Sequence, residues 1–178
     1  MKPDSDIVIR PARTADSAAL VTVEASAGTL FRSLPALAWI ADEPFGEAED
    51  FLPLIAAGTV WVAQDRRAGV IGELRAEIWG EALHVLELAV ARDFQQRGIG
   101  RRLLDAARTA ARARGLVALT LTTFRNVAWN APFYARYGFA ELSEAGLDAA
   151  LRETLRAEAA RGLPDRCAMR LDIRPVRN

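Results

Sequence analysis

Three arginines and two glycines stand together in residues 95–102, which read QQRGIGRR, at the beginning of a predicted helix. Apolar residues recur at helical spacing from Ile99 onward, and Gly115 is typical of a C-terminal cap. A helix N-terminus carries roughly half a positive charge, so each arginine there costs about 0.3–1 kcal/mol unless an anion compensates. Glycines at 98 and 100 let the backbone approach a phosphate closely. The segment therefore predicts a pyrophosphate-binding loop; an arginine-rich solvated helix is the alternative.

The elements around this loop alternate between strands and helices. Apolar and alternating runs predict strands over residues 7–12, 59–65, 70–80, 82–90, 116–123, 139–142 and 166–173. Helical spacing predicts helices over residues 13–28, 99–115, 127–138 and 145–162, with short helices within 29–46 and 46–58. The run at 82–90 is the most apolar, which favours a central strand. This order predicts one α/β domain over residues 1–178, with a mixed sheet and helices on both faces.

Composition excludes several classes of protein. A chain of 178 residues, 51% apolar and 26% charged, is typical of one globular domain. Basic and acidic residues both number 23, so no general basic field favours nucleic acid. One cysteine and one histidine exclude an internal disulfide and a metal site built from either residue type. Neither a membrane-length apolar stretch nor an N-terminal leader pattern is present, so we expect a cytoplasmic protein without membrane contact.

Two separated motifs carry a family resemblance. The loop at 95–100 matches the pattern Gln/Arg-x-x-Gly-x-Gly/Ala, and residues 133–139 match an aromatic-Tyr-x-x-x-Gly-Phe signature. With a strand before each motif and a long helix between them, residues 70–142 resemble the GNAT superfamily of acyl-CoA-dependent N-acetyltransferases. The resemblance implies a GNAT-like fold of about seven strands, with the central sheet splayed at the fourth strand. It also implies acetyl-CoA as cosubstrate and no metal.

The resemblance implies a set of cofactor-binding residues. Main-chain groups of the strand before the loop would pair with the pantetheine arm, and the loop itself would bind the pyrophosphate. Val127 stands where relatives commonly have an asparagine that contacts pantetheine, so Asn126 and Asn130 remain alternatives for that role. The expected cofactor-binding residues are Leu88, Ala89, Val90, Gln95, Gln96, Arg97, Gly98, Ile99, Gly100, Arg101, Asn126 and Asn130.

The resemblance also suggests catalytic residues. Tyr134 of the second motif would protonate or hydrogen-bond the leaving thiolate. His84, on the central strand, is the first choice for the base, because an unperturbed histidine is mostly neutral at pH 7. Simple alternation places Glu87 on the other strand face, so it is the second choice, and a water is the third. Glu73 and Glu77 are reserves that we expect to be solvated.

These residues predict an enzyme that transfers an acetyl group from acetyl-CoA to a primary amine by direct attack in a ternary complex. The acceptor is a small-molecule or peptide amine of unknown identity. Cys167 lies far in sequence from both motifs, which argues against an acetylated enzyme intermediate. A non-catalytic module that senses acyl-CoA is the alternative, and nucleic acid is not an expected partner. Relatives commonly form homodimers, but the sequence carries no dimer signature.

Overall fold

A computed structural model describes residues 6–44 and 46–173, and its strands form one seven-stranded sheet. The strands follow the order β1-β2-β3-β4-β5-β7-β6. β4 and β5 are parallel, whereas β1 with β2, β2 with β3, β5 with β7 and β6 with β7 are antiparallel. The predicted mixed α/β fold is confirmed, and the most apolar run is the central strand. The strands are β1 Ile7–Pro11, β2 Val60–Asp65, β3 Gly69–Trp79, β4 Ala82–Val90, β5 Ala118–Phe124, β6 Ala140–Glu141 and β7 Arg166–Asp172.

Five α-helices accompany these strands in the described part of the chain: α1 Ser17–Gly28, α2 Leu52–Ala56, α3 Ile99–Ala113, α4 Ala131–Tyr137 and α5 Ala149–Ala160. The predicted short helix within 29–46 consists of 3-10 turns at Thr29–Ser33 and Pro35–Asp42. α4 begins four residues later than residue 127, where the prediction began. Pro132 lies in its first turn, the one helical position where a missing N–H costs nothing.

The chain divides into two compact units. The first contains the chain up to Ala76 and Glu87–Ala107, and the second contains Glu77–Leu86 and the chain from Arg108. The core of the first unit includes Leu20, Phe51, Val60 and Val62. Buried residues of the second unit include Leu83, Leu119, Leu121 and Met169. The assignment of residues 1–178 to one domain stays a prediction.

The pairing between β4 and β5 is short. Its register begins at Ala82↔Ala118 and ends at Val85↔Leu121, although β4 continues to Val90 and β5 to Phe124. The predicted splay at the fourth strand therefore falls after Val85. No helix within residues 6–44 and 46–173 has the length and apolar character needed to cross a membrane.

Candidate functional site

The loop that joins β4 to α3 has an unusual backbone. Gln96 and Gly98 both adopt left-handed conformations, with φ angles of 60° and 75°. Gln95 fixes the beginning of the loop, since its Nε2 donates a hydrogen bond of 2.9 Å to the Val90 carbonyl. α3 then begins at Ile99, and the first N–H groups of a helix have no partner within the helix. A helix N-terminus that follows such a turn is suited to an anion such as a phosphate.

The arginines around this loop have different partners. Arg97 donates from Nη2 to the Asp93 carbonyl at 2.9 Å, and its guanidinium lies 5.0 Å from the Phe94 ring centre. Arg102 donates from Nη2 to the Ile7 carbonyl at 2.7 Å, on the first strand of the same unit. The sequence pattern groups Arg102 with the arginines of the loop. In the structure its guanidinium is instead hydrogen-bonded to β1.

The end of β4 contains the residues expected to pair with pantetheine. Ala89 is buried, whereas Leu88 and Val90 are half-buried. A Cβ atom added to Gly72 would lie 3.3 Å from the Ala89 carbonyl oxygen and 3.3 Å from Ile99 Cγ2. Sequence reasoning missed Gly72, whose signal is a glycine inside a strand pattern. Gly72 therefore allows β3 to approach the end of β4 and the first turn of α3.

The second motif forms α4 and the turn before it. Tyr134 is 8% exposed, and its ring makes edge contacts with Phe133 and Phe139, with centroid distances of 5.2 and 5.6 Å. Asn130 is the residue before α4, and its side-chain Oδ1 is buried without a hydrogen-bond partner among the described residues. Asn126 is exposed. Asn130 thus has a buried acceptor that is available to an amide N–H, and Asn126 has none.

His84 is enclosed within the second unit. It is 2% exposed, its ring stacks on Trp79 at a centroid distance of 3.6 Å, and its Nδ1 lies 3.0 Å from Thr120 Oγ1. Burial lowers the pKa of His84 to about 4, against smaller opposite effects of Glu158 and Asp148. The imidazole is therefore neutral at neutral pH, as a base must be, but it is a weak base.

Glu73 corrects an expectation. Although we expected it to be solvated, it is 0% exposed, and Glu77 on the same strand is exposed. Arg75 Nε lies 3.1 Å from Glu73 Oε2, yet neither Glu73 oxygen has a hydrogen-bond partner among the described residues. Burial raises the pKa of Glu73 well above its usual value, and the charge of Glu87 raises it further. Sequence periodicity gives no signal for this burial, because it depends on packing against distant segments.

Cys167 is poorly suited to covalent chemistry. Burial raises the pKa of the Cys167 thiol to about 11, so it remains protonated and is a poor nucleophile. Within the described ranges, no three histidine, cysteine, aspartate or glutamate residues come together as a metal-binding group.

Comparison with known proteins identifies the class. Residues 56–141 match the family model of an acetyltransferase (GNAT) domain, and this segment therefore belongs to the GNAT acetyltransferases. The fold also matches solved structures over most of the chain. The PaiA N-acetyltransferase from Thermoplasma acidophilum, in complex with coenzyme A, has a TM-score of 0.68 at 18% identity, covering 93% of this chain and 98% of that one.

Two further structures share the fold. The ribosomal-protein-S18-alanine N-acetyltransferase from Escherichia coli has a TM-score of 0.64 at 17% identity, covering 97% of each chain. YncA from Salmonella typhimurium, with its cofactor acetyl-CoA, has a TM-score of 0.67 at 18% identity, also covering 97% of each chain. The predicted family resemblance is confirmed.

Proposed function

We propose that this protein transfers an acetyl group from acetyl-CoA to a primary amine, which attacks the thioester directly in a ternary complex. The observation that carries the proposal is the left-handed turn at Gln96 and Gly98 before the N-terminus of α3. That turn and the helix amides offer hydrogen-bond donors to the coenzyme A pyrophosphate. Coenzyme A in the structure of the Thermoplasma relative and acetyl-CoA in that of YncA support the choice of cosubstrate.

The remaining cofactor contacts follow from main-chain and amide groups. In this proposal Leu88, Ala89 and Val90 offer main-chain groups to the pantetheine arm, and Gln95 through Arg101 bind the pyrophosphate. Asn130 is preferred over Asn126 as the residue that contacts a pantetheine amide, because its buried Oδ1 lacks a partner within the described chain. Burying an acceptor without a hydrogen bond costs about 1–3 kcal/mol, which a bound amide N–H would recover.

The acceptor amine must lose a proton before it attacks. A lysine-like amine with a pKa near 10.4 is mostly ammonium at neutral pH, and deprotonation there costs about 4–5 kcal/mol. We assign the role of base to Glu87 in preference to His84, because Glu87 is half-buried whereas His84 is enclosed by Trp79 and Thr120. His84 remains the alternative base. Tyr134 donates a proton or a hydrogen bond to the departing thiolate.

A thermal-shift titration with acetyl-CoA, coenzyme A and NAD tests the cosubstrate. The key variant is Gly98→Val, and Gly115→Val is its matched control. Both glycines have similar positive φ angles, 75° and 74°, and neither would bring a Cβ within 4 Å of another group. The two substitutions therefore impose similar strain at opposite ends of α3.

We expect acetyl-CoA at a hundredfold excess over its dissociation constant to stabilise the wild type by about 2.7 kcal/mol. Gly98→Val should weaken acetyl-CoA binding at least tenfold, while Gly115→Val binds as the wild type does. Equal binding by both variants would contradict the loop assignment. Release of free thiol from acetyl-CoA with a panel of primary amines then tests transfer; binding without release from any amine would indicate an acyl-CoA-binding module.

A further inference from the structure

Gly72 lies where three other segments of the first unit meet β3. A Cβ atom built on Gly72 would lie 3.3 Å from the Ala89 carbonyl oxygen, 3.3 Å from Ile99 Cγ2 and 3.4 Å from Ala63 Cβ. Ala89 is near the end of β4, Ile99 is the first residue of α3, and Ala63 is on β2. These distances are at or below the shortest ordinary van der Waals separations. A side chain at residue 72 would therefore push at least one of the three segments away.

The backbone conformation of Gly72 does not itself require glycine. Gly98 in the loop has a positive φ angle, but Gly72 is not among the glycines of this kind, and it lies within the strand β3. Glycine at residue 72 therefore contributes the absence of a side chain, which lets neighbouring segments approach closely.

A β-bulge beside Gly72 attaches β3 to the chain that leaves β4. The pairing of β2 with β3 shifts between Ala63 and Gln64, and this shift leaves Ile71 as an extra residue on β3. The Ile71 carbonyl accepts a hydrogen bond of 2.8 Å from the N–H of Ala91, the first residue after β4. Bulges of this kind bend a strand and increase its twist. The bulge and the hydrogen bond thus fix Gly72 against the beginning of the loop.

The two segments closest to Gly72 contain the two halves of the proposed cofactor site. Residues 88–90 at the end of β4 are proposed to pair with pantetheine, and the N-terminus of α3 is proposed to bind the pyrophosphate. Ala89 and Ile99 are both buried, so neither can move aside into solvent. Displacement of Ala89 or Ile99 therefore changes the distance between the pantetheine half and the pyrophosphate half.

We infer that Gly72 is a positioning residue, which sets the spacing between the pantetheine half and the pyrophosphate half of the cofactor site. This inference rests on the proposed binding of acetyl-CoA and adds a residue that lies outside both sequence motifs. A ligand that spans two half-sites gains affinity from the second one only when the spacing lets both contacts form together. A side chain at residue 72 should therefore weaken binding of the whole coenzyme, while the pyrophosphate half still binds its own fragment.

The test compares two ligands. Coenzyme A reaches both halves of the site, whereas 3′-phospho-ADP, which is coenzyme A without its pantetheine arm, reaches only the pyrophosphate half. Isothermal titration calorimetry measures the dissociation constant of each ligand for the wild type, for Gly72→Ala and for a control variant.

Gly46→Ala is the matched control. Gly46 likewise is not among the glycines with positive φ angles, and a Cβ atom there would lie 3.1 Å from Asp50 Oδ2. Asp50 is exposed, so its side chain can move aside, whereas the three neighbours of Gly72 are buried. The two substitutions therefore add the same methyl group at similar distances from a neighbour, and only one of them acts on buried segments of the cofactor site.

We expect Gly72→Ala to bind coenzyme A at least fivefold more weakly than the wild type, and to bind 3′-phospho-ADP within twofold of it. Gly46→Ala should bind both ligands as the wild type does. Equal weakening of both ligands would overturn the inference, because it would indicate damage to the loop itself. Unchanged coenzyme A binding by Gly72→Ala would overturn it as well.

Kinetics separate a wrong spacing from a loss of folded protein. Fewer folded molecules would lower the apparent kcat and leave the KM for acetyl-CoA unchanged, whereas a wrong spacing should raise this KM. A lower kcat at unchanged KM would therefore overturn the inference.

Should Gly72→Ala not fold, both measurements are repeated with Gly72→Ala in an Ile99→Leu background, with Ile99→Leu alone as the reference. Leucine removes the Cγ2 atom that the new methyl group meets and keeps the side-chain volume. The same outcomes support or overturn the inference there. A wild type that does not bind coenzyme A would instead contradict the proposed function.

Discussion

His84 in the second unit and Glu73 in the first are almost equally buried, at 2% and 0% exposure, but their surroundings differ. His84 has a stacking partner and a hydrogen-bonding hydroxyl group, whereas neither oxygen of Glu73 has a hydrogen bond within the described residues. Burial disfavours the charged form of both groups. Burial lowers the pKa of His84 to about 4, and it raises the pKa of Glu73 well above its usual value. The same physical effect makes the histidine a weaker base and the glutamate a stronger one.

The largest expected effect is the loss of stability that His84 causes in acid. Its folded pKa of about 4 lies below the unfolded value of 6.5, so the unfolded chain binds the proton more tightly. Stability should therefore fall as the pH decreases from about 6.5 to about 4, by about 3 kcal/mol. Urea unfolding of the wild type and His84→Phe measures this loss, and the variant should lack it.

His84→Phe also tests whether His84 takes part in acetyl transfer. The phenyl ring can keep the stacking on Trp79, and it removes the partner of the Thr120 hydroxyl group. We expect the acetyl-transfer rate at neutral pH to change less than threefold. A tenfold decrease would instead identify His84 as the base in place of Glu87.

Tyr134→Phe has an intermediate expected effect and tests a third buried residue, the proposed proton donor. The phenyl ring preserves the edge contacts with Phe133 and Phe139, so folding and acetyl-CoA binding should remain unchanged. Loss of one hydrogen bond to the developing thiolate should lower kcat about tenfold, equivalent to about 1.4 kcal/mol. Steady-state kinetics with acetyl-CoA measure this change; an unchanged kcat would show that Tyr134 serves only in packing.

The smallest expected change in stability comes from a substitution that leaves the Arg75 guanidinium to Glu73 alone. Glu24→Gln removes the ionic partner of Arg75 Nη2, so the guanidinium keeps one carboxyl group of the pair, that of Glu73, whose Oε2 lies 3.1 Å from Arg75 Nε. An undivided guanidinium should lower the pKa of Glu73 toward its usual value, so Glu24→Gln should lose less stability than the wild type as the pH rises above the unfolded pKa of about 4.3. Urea unfolding of both proteins at several pH values measures this difference, and an equal loss of stability would contradict the role given to Arg75.

The sequence predicted the elements whose signals are local. The bounds of β4 agree with residues 82–90, because a continuous apolar run is the signature of a strand covered on both faces. Both motifs likewise identified the family before the structure was known. Glu73 and Arg102 could not be placed correctly from their sequence neighbours. Glu73 lies beside Arg75, which is held by Glu24 of α1, and Arg102 donates to a carbonyl 95 residues away. The catalytic assignments to Tyr134, His84 and Glu87 remain predictions.

The position of β7 has a consequence for how the second unit can form during synthesis. β7 is the last strand of the described residues, yet it lies between β5 and β6 and pairs with both. A growing chain therefore exposes an unpaired edge of β5 until Asp172 has left the ribosome. Such an edge is a template for pairing with another chain. Nascent chains that stop before β7 should thus be clients of chaperones, while the hairpin of β2 and β3 can already have formed.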